Sequence, residues 1–308
     1  MTSVWPFDLR PRVVLTYPVV AGGPSLNVTF YGVRGSTPCA GESTRRYGGN
    51  TSCVALEVAG HDPIVFDLGT GLRYFGQTQP CDGTFRGVAL VTHLHWDHIQ
   101  GLPFFVPVLR PGAEFDVYAP PPGSGQTVAQ AFDVFMRDPY FPVTVGQLPS
   151  RIDFHDLSDA TMEIGDAHVV AHSVPHIGRT NGYRVSWAGA TVAYLSDHQQ
   201  PYDGGNHITD AALALCDRAD LLVHDAQYTI EEFKAKATWG HCTIEYALWV
   251  AKEAGVKRLA LFHHDPVRDD DALDAIARCY RIFEDKSGIE VMVASEGLTV
   301  ALGGTVSA

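Results

Sequence analysis

The sequence predicts an α/β fold, a single domain in which two packed β-sheets carry helices on their outer faces. Three observations predict it. Short apolar strand-like segments crowd the first half, while helical stretches come mainly later. Neither a linker nor an internal repeat at a period of roughly 20–50 residues interrupts the chain. Hydrophobic residues make up 45% of the 308 residues and charged residues 19%, enough for a large core and too apolar for disorder.

The elements follow in order. Residues 1–25 hold four prolines and no clear period, which reads as an irregular N-terminal arm ahead of a single domain over 26–308. Leu26–Val33, Ser52–Val58 and Pro63–Leu68 read as strands, the last two joined by a turn at Gly60–Asp62. Gly87–Thr92 is a short apolar strand running into His93, and Phe115–Ala119 is another. The prolines and glycines of 120–150 surround one helix, Thr127–Met136, and read as an insertion or lid over the site. In that stretch Phe132, Phe135, Tyr140 and Phe141 serve as core or as stacking surface, with core preferred. Strands resume at Ala167–His172, Asn181–Trp187 and Ala190–Leu195. Helix Asp210–Ala219, strand Leu221–His224, helix Thr243–Ala254, strand Arg258–Phe262, helix Asp270–Glu284 and strand Glu290–Ala294 complete the chain. Thr243 is the expected N-cap of its helix and Gly255 the residue just past its end.

Charge narrows the function. The balance of 22 Lys+Arg against 35 Asp+Glu gives a net charge of −13. Such a surface repels polyanions, so a long nucleic acid is disfavoured as a partner while a small anionic substrate drawn by metal ions is not. No window approaches the roughly 20 apolar residues of a membrane helix. Val13–Gly22 follows Arg10 and Arg12 like a signal sequence, but Pro18 interrupts it, Asp8 lies upstream and no clear cleavage site follows. The reading is a cytoplasmic protein without a membrane partner. Cys39, Cys53, Cys81, Cys216, Cys242 and Cys279 lie far apart and read as single buried or half-buried thiols.

The 14 histidines are the compositional anomaly. His93-Leu94-His95-Trp96-Asp97-His98 places three imidazoles and a carboxylate directly after an apolar strand. In extended backbone His93 and His95 share a face, and a turn after His95 swings Asp97 and His98 towards a second point. That spacing suits two neighbouring metal ions better than one closed tetrahedral site. Mixed imidazole and carboxylate donors suit Zn²⁺, with Mn²⁺ and Fe²⁺ also fitting.

This run resembles the signature of the metallo-β-lactamase fold superfamily, and later landmarks follow in the family's order. The resemblance implies a four-layer αβ/βα sandwich of two mixed sheets. It implies that Asp67, in Val65-Phe66-Asp67-Leu68-Gly69, buttresses the histidine loop. It also makes His176 a ligand, ahead of Gly182-Tyr183-Arg184 and with His172 as competitor. Asp197, after the strand ending at Leu195, becomes the carboxylate between two metals. His263 becomes the last ligand, with His264 as its alternative. His93, His95 and His176 would then hold one ion, and Asp97, His98 and His263 the other.

Within that superfamily the chain is similar to the phosphodiesterase branch, ribonuclease Z and the cyclic-phosphate phosphodiesterases. Tyr47-Gly-Gly-Asn50-Thr-Ser-Cys53, His224-Asp225-Ala226 and Gly240-His241-Cys242-Thr243 carry the resemblance. It implies a dinuclear hydrolase acting on a small, cyclic or linear, phosphodiester through a metal-bridging hydroxide. Asp97, His241 and Asp225 are its catalytic candidates, Asp225 standing where the family has glutamate. The alternative is a lactone or ester hydrolase of the same fold, with redox and non-catalytic members further behind. Homodimers are common among similar proteins. Arg34, Arg45, Arg46 and Arg179 are candidates for a phosphate but read as surface residues.

Overall fold

The computed structural model describes residues 14–15 and 25–303. Two mixed sheets face each other. The first carries β1 (Val14–Leu15), β2 (Leu26–Gly32), β3 (Cys53–Val58), β4 (Ile64–Phe66), β5 (Arg86–Leu90), β6 (Glu114–Ala119) and β7 (Arg151–Asp156). The second carries β8 (Ala160–Ile164), β9 (Ala167–Ser173), β10 (Asn181–Trp187), β11 (Ala190–Leu195), β12 (Leu221–Asp225), β13 (Arg258–Phe262) and β14 (Glu290–Val293). The final strand, β15 (Thr299–Leu302), returns to the first sheet between β1 and β2. Parallel pairing runs through β4-β5-β6-β7 and through β11-β12-β13-β14. Of the expected arm over 1–25, only Val14–Leu15 and Ser25 are described, and Val14–Leu15 pairs in parallel with Thr299–Val300.

The inner faces supply the central core. Val28, Phe30, Leu56 and Phe66 of the first sheet meet Val185, Val192, Tyr194, Val223 and Phe262 of the second. The Phe66 and Tyr194 rings stack at 4.5 Å and 3°, near one end of the seam. β12 is buried along its whole length, as a strand covered on both faces must be.

Helices close the outer faces. α1 (Leu72–Gly76) and α3 (Val128–Phe135) cover the first sheet. α4 (Asp210–Cys216), α6 (Ile244–Glu253) and α7 (Asp270–Ser287) cover the second. α2 (Trp96–Ile99) and α5 (Ile230–Lys236) are short and lie at the functional end. The four layers are those the resemblance implied. Thr243 caps α6 by accepting from Tyr246 N at 3.0 Å, and Gly255 follows with φ +61.

Three expectations need correction. Cys81 and Cys279 are exposed, not buried or half-buried, although none of the six cysteines is paired. Arg34 is fully buried, with Nε donating to Gly48 O and Nη1 to Arg268 O, both at 2.7 Å. It ties two loops together and does not sit at the surface. Tyr140, preferred as core, is 74% exposed, whereas Phe132 is buried as preferred and Phe135 and Phe141 pack against the same cluster. Among the described residues no helix is long and apolar enough to cross a membrane.

Candidate metal centre

Every candidate donor follows a strand that runs towards the same end of the sandwich. Asp67 follows β4, and the His93–His98 run follows β5 and enters α2. His176 lies between β9 and β10. Asp197 follows β11, Asp225 ends β12, and His263 follows β13. The strand ends thus deliver five side chains from one sheet and four from the other to one seam.

Local backbone explains how they meet. Leu68 N donates to His98 O and Gly101 N donates to Leu68 O, each at 2.7 Å, so the histidine loop docks on the Asp67 loop. Gly69 and Gly101 permit that approach, because a Cβ at either would strike opposing backbone. Asp67 and His263 adopt φ values of 59° and 57°, unusual for non-glycine residues. Such strain is commonly held at functional sites.

The candidate donor atoms converge in groups. Ligand atoms of His93, His95 and His176 lie within 4.8 Å of one another, as do those of Asp97, His98 and His263. Asp197 stands between the two sets. Its Oδ1 is 3.1 Å from His98 Nε2 and 3.5 Å from His263 Nε2. Its Oδ2 is 3.7 Å from His176 Nε2 and 3.9 Å from His93 Nε2. Asp97 Oδ2 lies 3.1 Å from His263 Nε2 and accepts from Ser36 N at 2.7 Å.

The competing histidines stand apart from this cluster. His172 lies against Asp159, at 3.3 Å, and His264 Nε2 donates to Ala294 O at 2.9 Å.

The surrounding groups fix the tautomers. Asp67 accepts from Thr92 N (2.7 Å), His98 Nδ1 (2.8 Å) and Tyr194 OH (2.9 Å). With Nδ1 engaged, His98 turns its Nε2 towards Asp97 and Asp197. His176 Nδ1 donates to Gly240 O at 2.6 Å, which turns its Nε2 the same way. Gly240 has φ +96, and a Cβ there would sit 2.5 Å from the His176 ring. Gly35 is held equally close to His263.

This donor set fits divalent cations. His98 Nε2 is buried without a hydrogen-bond partner, although two carboxylates lie beside it. Burial pushes His93 well below the ordinary histidine range, and neighbouring His98 adds to the effect. For His98 itself burial acts downward, yet Asp97, Asp197 and Asp67 together hold it well above that range. The carboxylates thus demand positive charge at a point where neutral imidazoles offer lone pairs, and a bound cation meets that demand.

His241, just ahead of α6, is 7% exposed and opens on the same cavity of about 490 Å³. Its Nδ1 lies 2.9 Å from Asp225 Oδ2, so the shorter aspartate side chain reaches it. Asp225 also accepts from Gln227 N at 2.9 Å and His198 N at 3.2 Å. Burial pushes Asp225 well up, with His263 pulling it back. His241 Nδ1 is also 3.6 Å from Asp197 Oδ2, within reach of the ligand sets.

Sequence reasoning missed three contributors. Ser36 supplies the amide to Asp97, and Tyr228 and Trp239 line the cavity. All reach the site through tertiary contacts, and only the nearness of Trp239 to His241 in the chain offered a signal.

An αβ/βα sandwich with this donor set at its strand ends defines a metallo-β-lactamase-fold protein with a centre for divalent metal ions. The chain belongs to the beta-lactamase superfamily domain family, whose model matches residues 63–264. A protein of Natronomonas pharaonis named ribonuclease Z is 26% identical, covering 90% of this chain and 97% of its own. The metallo-β-lactamase fold protein YhfI of Bacillus subtilis superposes with a TM-score of 0.68 at 19% identity, over 91% of this chain and 100% of that one. The short form of human tRNase Z superposes with a TM-score of 0.62 at 21% identity, over 89% and 98%.

These relatives overturn one expectation. Proteins named for ribonuclease activity span nearly the whole chain, so the net charge of −13 does not disfavour a long nucleic acid. The physical reason is that formal charge sums the entire surface. Exposed charges are screened beyond about 8–10 Å at ordinary salt, whereas a phosphate at this site would meet the local field of bound cations.

Proposed function

We propose that the chain hydrolyses phosphodiesters with two divalent ions, Zn²⁺ being the best-suited metal and a small cyclic or linear phosphodiester the substrate. The observation that carries this reading is the Asp225–His241 pair, set beside the His and Asp cluster and opening on the same cavity. A phosphodiester with a poor leaving group needs a proton donor beside the departing oxygen, and this pair can supply one.

His93, His95 and His176 would hold one ion, Asp97, His98 and His263 the other, with Asp197 offering one oxygen to each. Bound there, the ions would supply an activated water and neutralise charge developing on the phosphoryl oxygens. The chain does the rest. Asp67 and Gly240 O orient His98 and His176. Ser36 N holds Asp97 in place. Asp225 keeps the His241 proton on Nδ1 in the resting state, and protonated His241 can hand the Nε2 proton to the departing oxygen.

A second reading rests on the ribonuclease Z relatives, that the scissile bond belongs to an RNA chain. One panel separates the readings: purified protein with added Zn²⁺ or Mn²⁺, offered bis-p-nitrophenyl phosphate, 2′,3′- and 3′,5′-cyclic nucleotides, a tRNA precursor and a lactone. His241→Ala should lower kcat about 10²- to 10⁴-fold on cyclic nucleotides. It should cost far less on the nitrophenyl ester, whose leaving group needs no proton. A lactone-only profile that ignores His241→Ala would sink the phosphodiester reading.

A further inference from the structure

Two of the largest exposed apolar side chains stand at the mouth of the centre. Trp96 is 73% exposed and Trp239 is 60% exposed, and both line the cavity that holds His95, His176, Asp197 and His241. Elsewhere in the described chain tryptophan is placed differently. Trp187 is 4% exposed, and Trp249 packs against the core beneath α6. An indole left in water is unfavourable unless something covers it in use.

Both rings are fixed to the reacting groups by the chain itself. Trp96 sits between His95 and Asp97 and opens α2, whose next three residues are buried, so its own side chain faces out into the cavity mouth. Trp239 precedes Gly240 and His241. Gly240 N donates to Gln199 Oε1 at 2.7 Å, and Gly240 O accepts from His176. Beneath Trp239, Lys236 Nζ lies 5.6 Å from the indole centroid and 4.7 Å from that of Tyr228, anchored to Asp265 at 2.8 Å. The indole is therefore held by a cation–π contact against a strip that also places His176 and His241.

We propose that Trp96 and Trp239 are specificity-determining residues, which stack on a planar aromatic group, a nucleobase or an aryl ring, carried next to the scissile phosphodiester. This rests on the phosphodiester reading for its reaction and adds the substrate class. Stacking on indoles tolerates any base, because every base offers a π-face, and the anionic end of such a ligand lies where the cations would be.

The test is isothermal titration of the Zn²⁺-loaded full-length protein with adenosine 5′-monophosphate and with methyl phosphate. The wild type should prefer the nucleotide roughly 5- to 150-fold. Trp96→Ala and Trp239→Ala should each shrink that ratio, and the double variant should bring it close to one. Trp96→Phe and Trp239→Phe should keep most of it, which a merely structural role would not require, and circular dichroism checks that each variant folds. Equal affinities in the wild type, no nucleotide binding at millimolar concentration, or an unchanged ratio in the double alanine variant each overturn the proposal. Hydrolysis of bis-p-nitrophenyl phosphate is followed in parallel. Turnover without a nucleotide preference removes the aromatic subsite alone. A preference without turnover of any phosphodiester removes the hydrolase reading and leaves the subsite standing.

Discussion

Asp67→Asn tests how far the centre depends on a residue that would touch no metal. Asp67 Oδ1 accepts from Thr92, and Oδ2 accepts from His98 Nδ1 and Tyr194 OH, with Ser196 Oγ at 3.4 Å. In the amide, the NH₂ replaces Oδ2 and faces four donors, Thr92 Oγ1 at 3.2 Å included. The three hydroxyls can rotate, but His98 can relieve the clash only by moving its proton from Nδ1 to Nε2. That proton then points at Asp97 and Asp197, 3.2 and 3.1 Å away, and removes the lone pair needed for an ion. Forcing the original tautomer on ion binding leaves one buried charge-assisted bond unmade, about 1.5–3 kcal/mol. Affinity for the ion held by Asp97, His98 and His263 should therefore fall about 10- to 150-fold, close to the roughly 10- to 100-fold usual for such supporting partners. Competition against a chelator measures it on wild type and variant, with thermal unfolding of both metal-free proteins as control. A wild-type dissociation constant in a correctly folded Asp67→Asn would refute the tautomer argument.

Three further outcomes are expected. Gly240→Ala should lower kcat/KM at least about tenfold, because its Cβ would press the His176 ring, while Gly178→Ala, also at positive φ (+85) but with nothing within 4 Å, should show backbone strain of about 1 kcal/mol only. His263→Ala should cost bound metal by elemental analysis. By contrast His264→Ala should retain it and lose about 1–3 kcal/mol of stability in denaturant unfolding, since Ala294 O is left without its buried donor. His224 is buried, with Nδ1 donating to Asp225 O, and burial pushes it down to about 4. The unfolded chain then binds the extra proton first, so stability should fall as pH drops from about 6.5 towards 4. Unfolding midpoints of metal-free protein should show a shallower acid slope in His224→Gln than in wild type.

The centre was legible where its signal is local. His93, His95, Asp97 and His98 lie within one short run, whereas Asp67, Asp197 and His263 were marked by the resemblance of their strand ends to the superfamily's landmarks. Which of two adjacent histidines turns inward came from the resemblance, which favours His263, and not from the residues themselves, because a left-handed φ and the clearance over Gly35 set that orientation. Arg34 was misread because its partners are carbonyls of residues 48 and 268, distant in the chain. β7 and β8 went unassigned since both mix exposed and half-buried positions near the edges of their sheets. α5 carried a usable sign that went unused. Thr229 and Glu232 form a capping box, with Glu232 accepting from Thr229 N at 2.7 Å and Thr229 Oγ1 from Glu232 N at 3.3 Å.

One architectural fact carries past catalysis. His93, His95, Asp97 and His98 hang from one leaf of the sandwich, and His176, Asp197 and His263 from the other. Stripped of cations, Asp97 and Asp197 repel across that gap, while deeper in the seam Phe66 on Tyr194 and the hydroxyls of Tyr194 and Tyr183, bonded to Asp67 and Val91 O, still join the leaves. Chelation should thus loosen the molecule like a book whose clasp has been cut but whose binding holds, and the page edges that part are the ones where the chemistry is done.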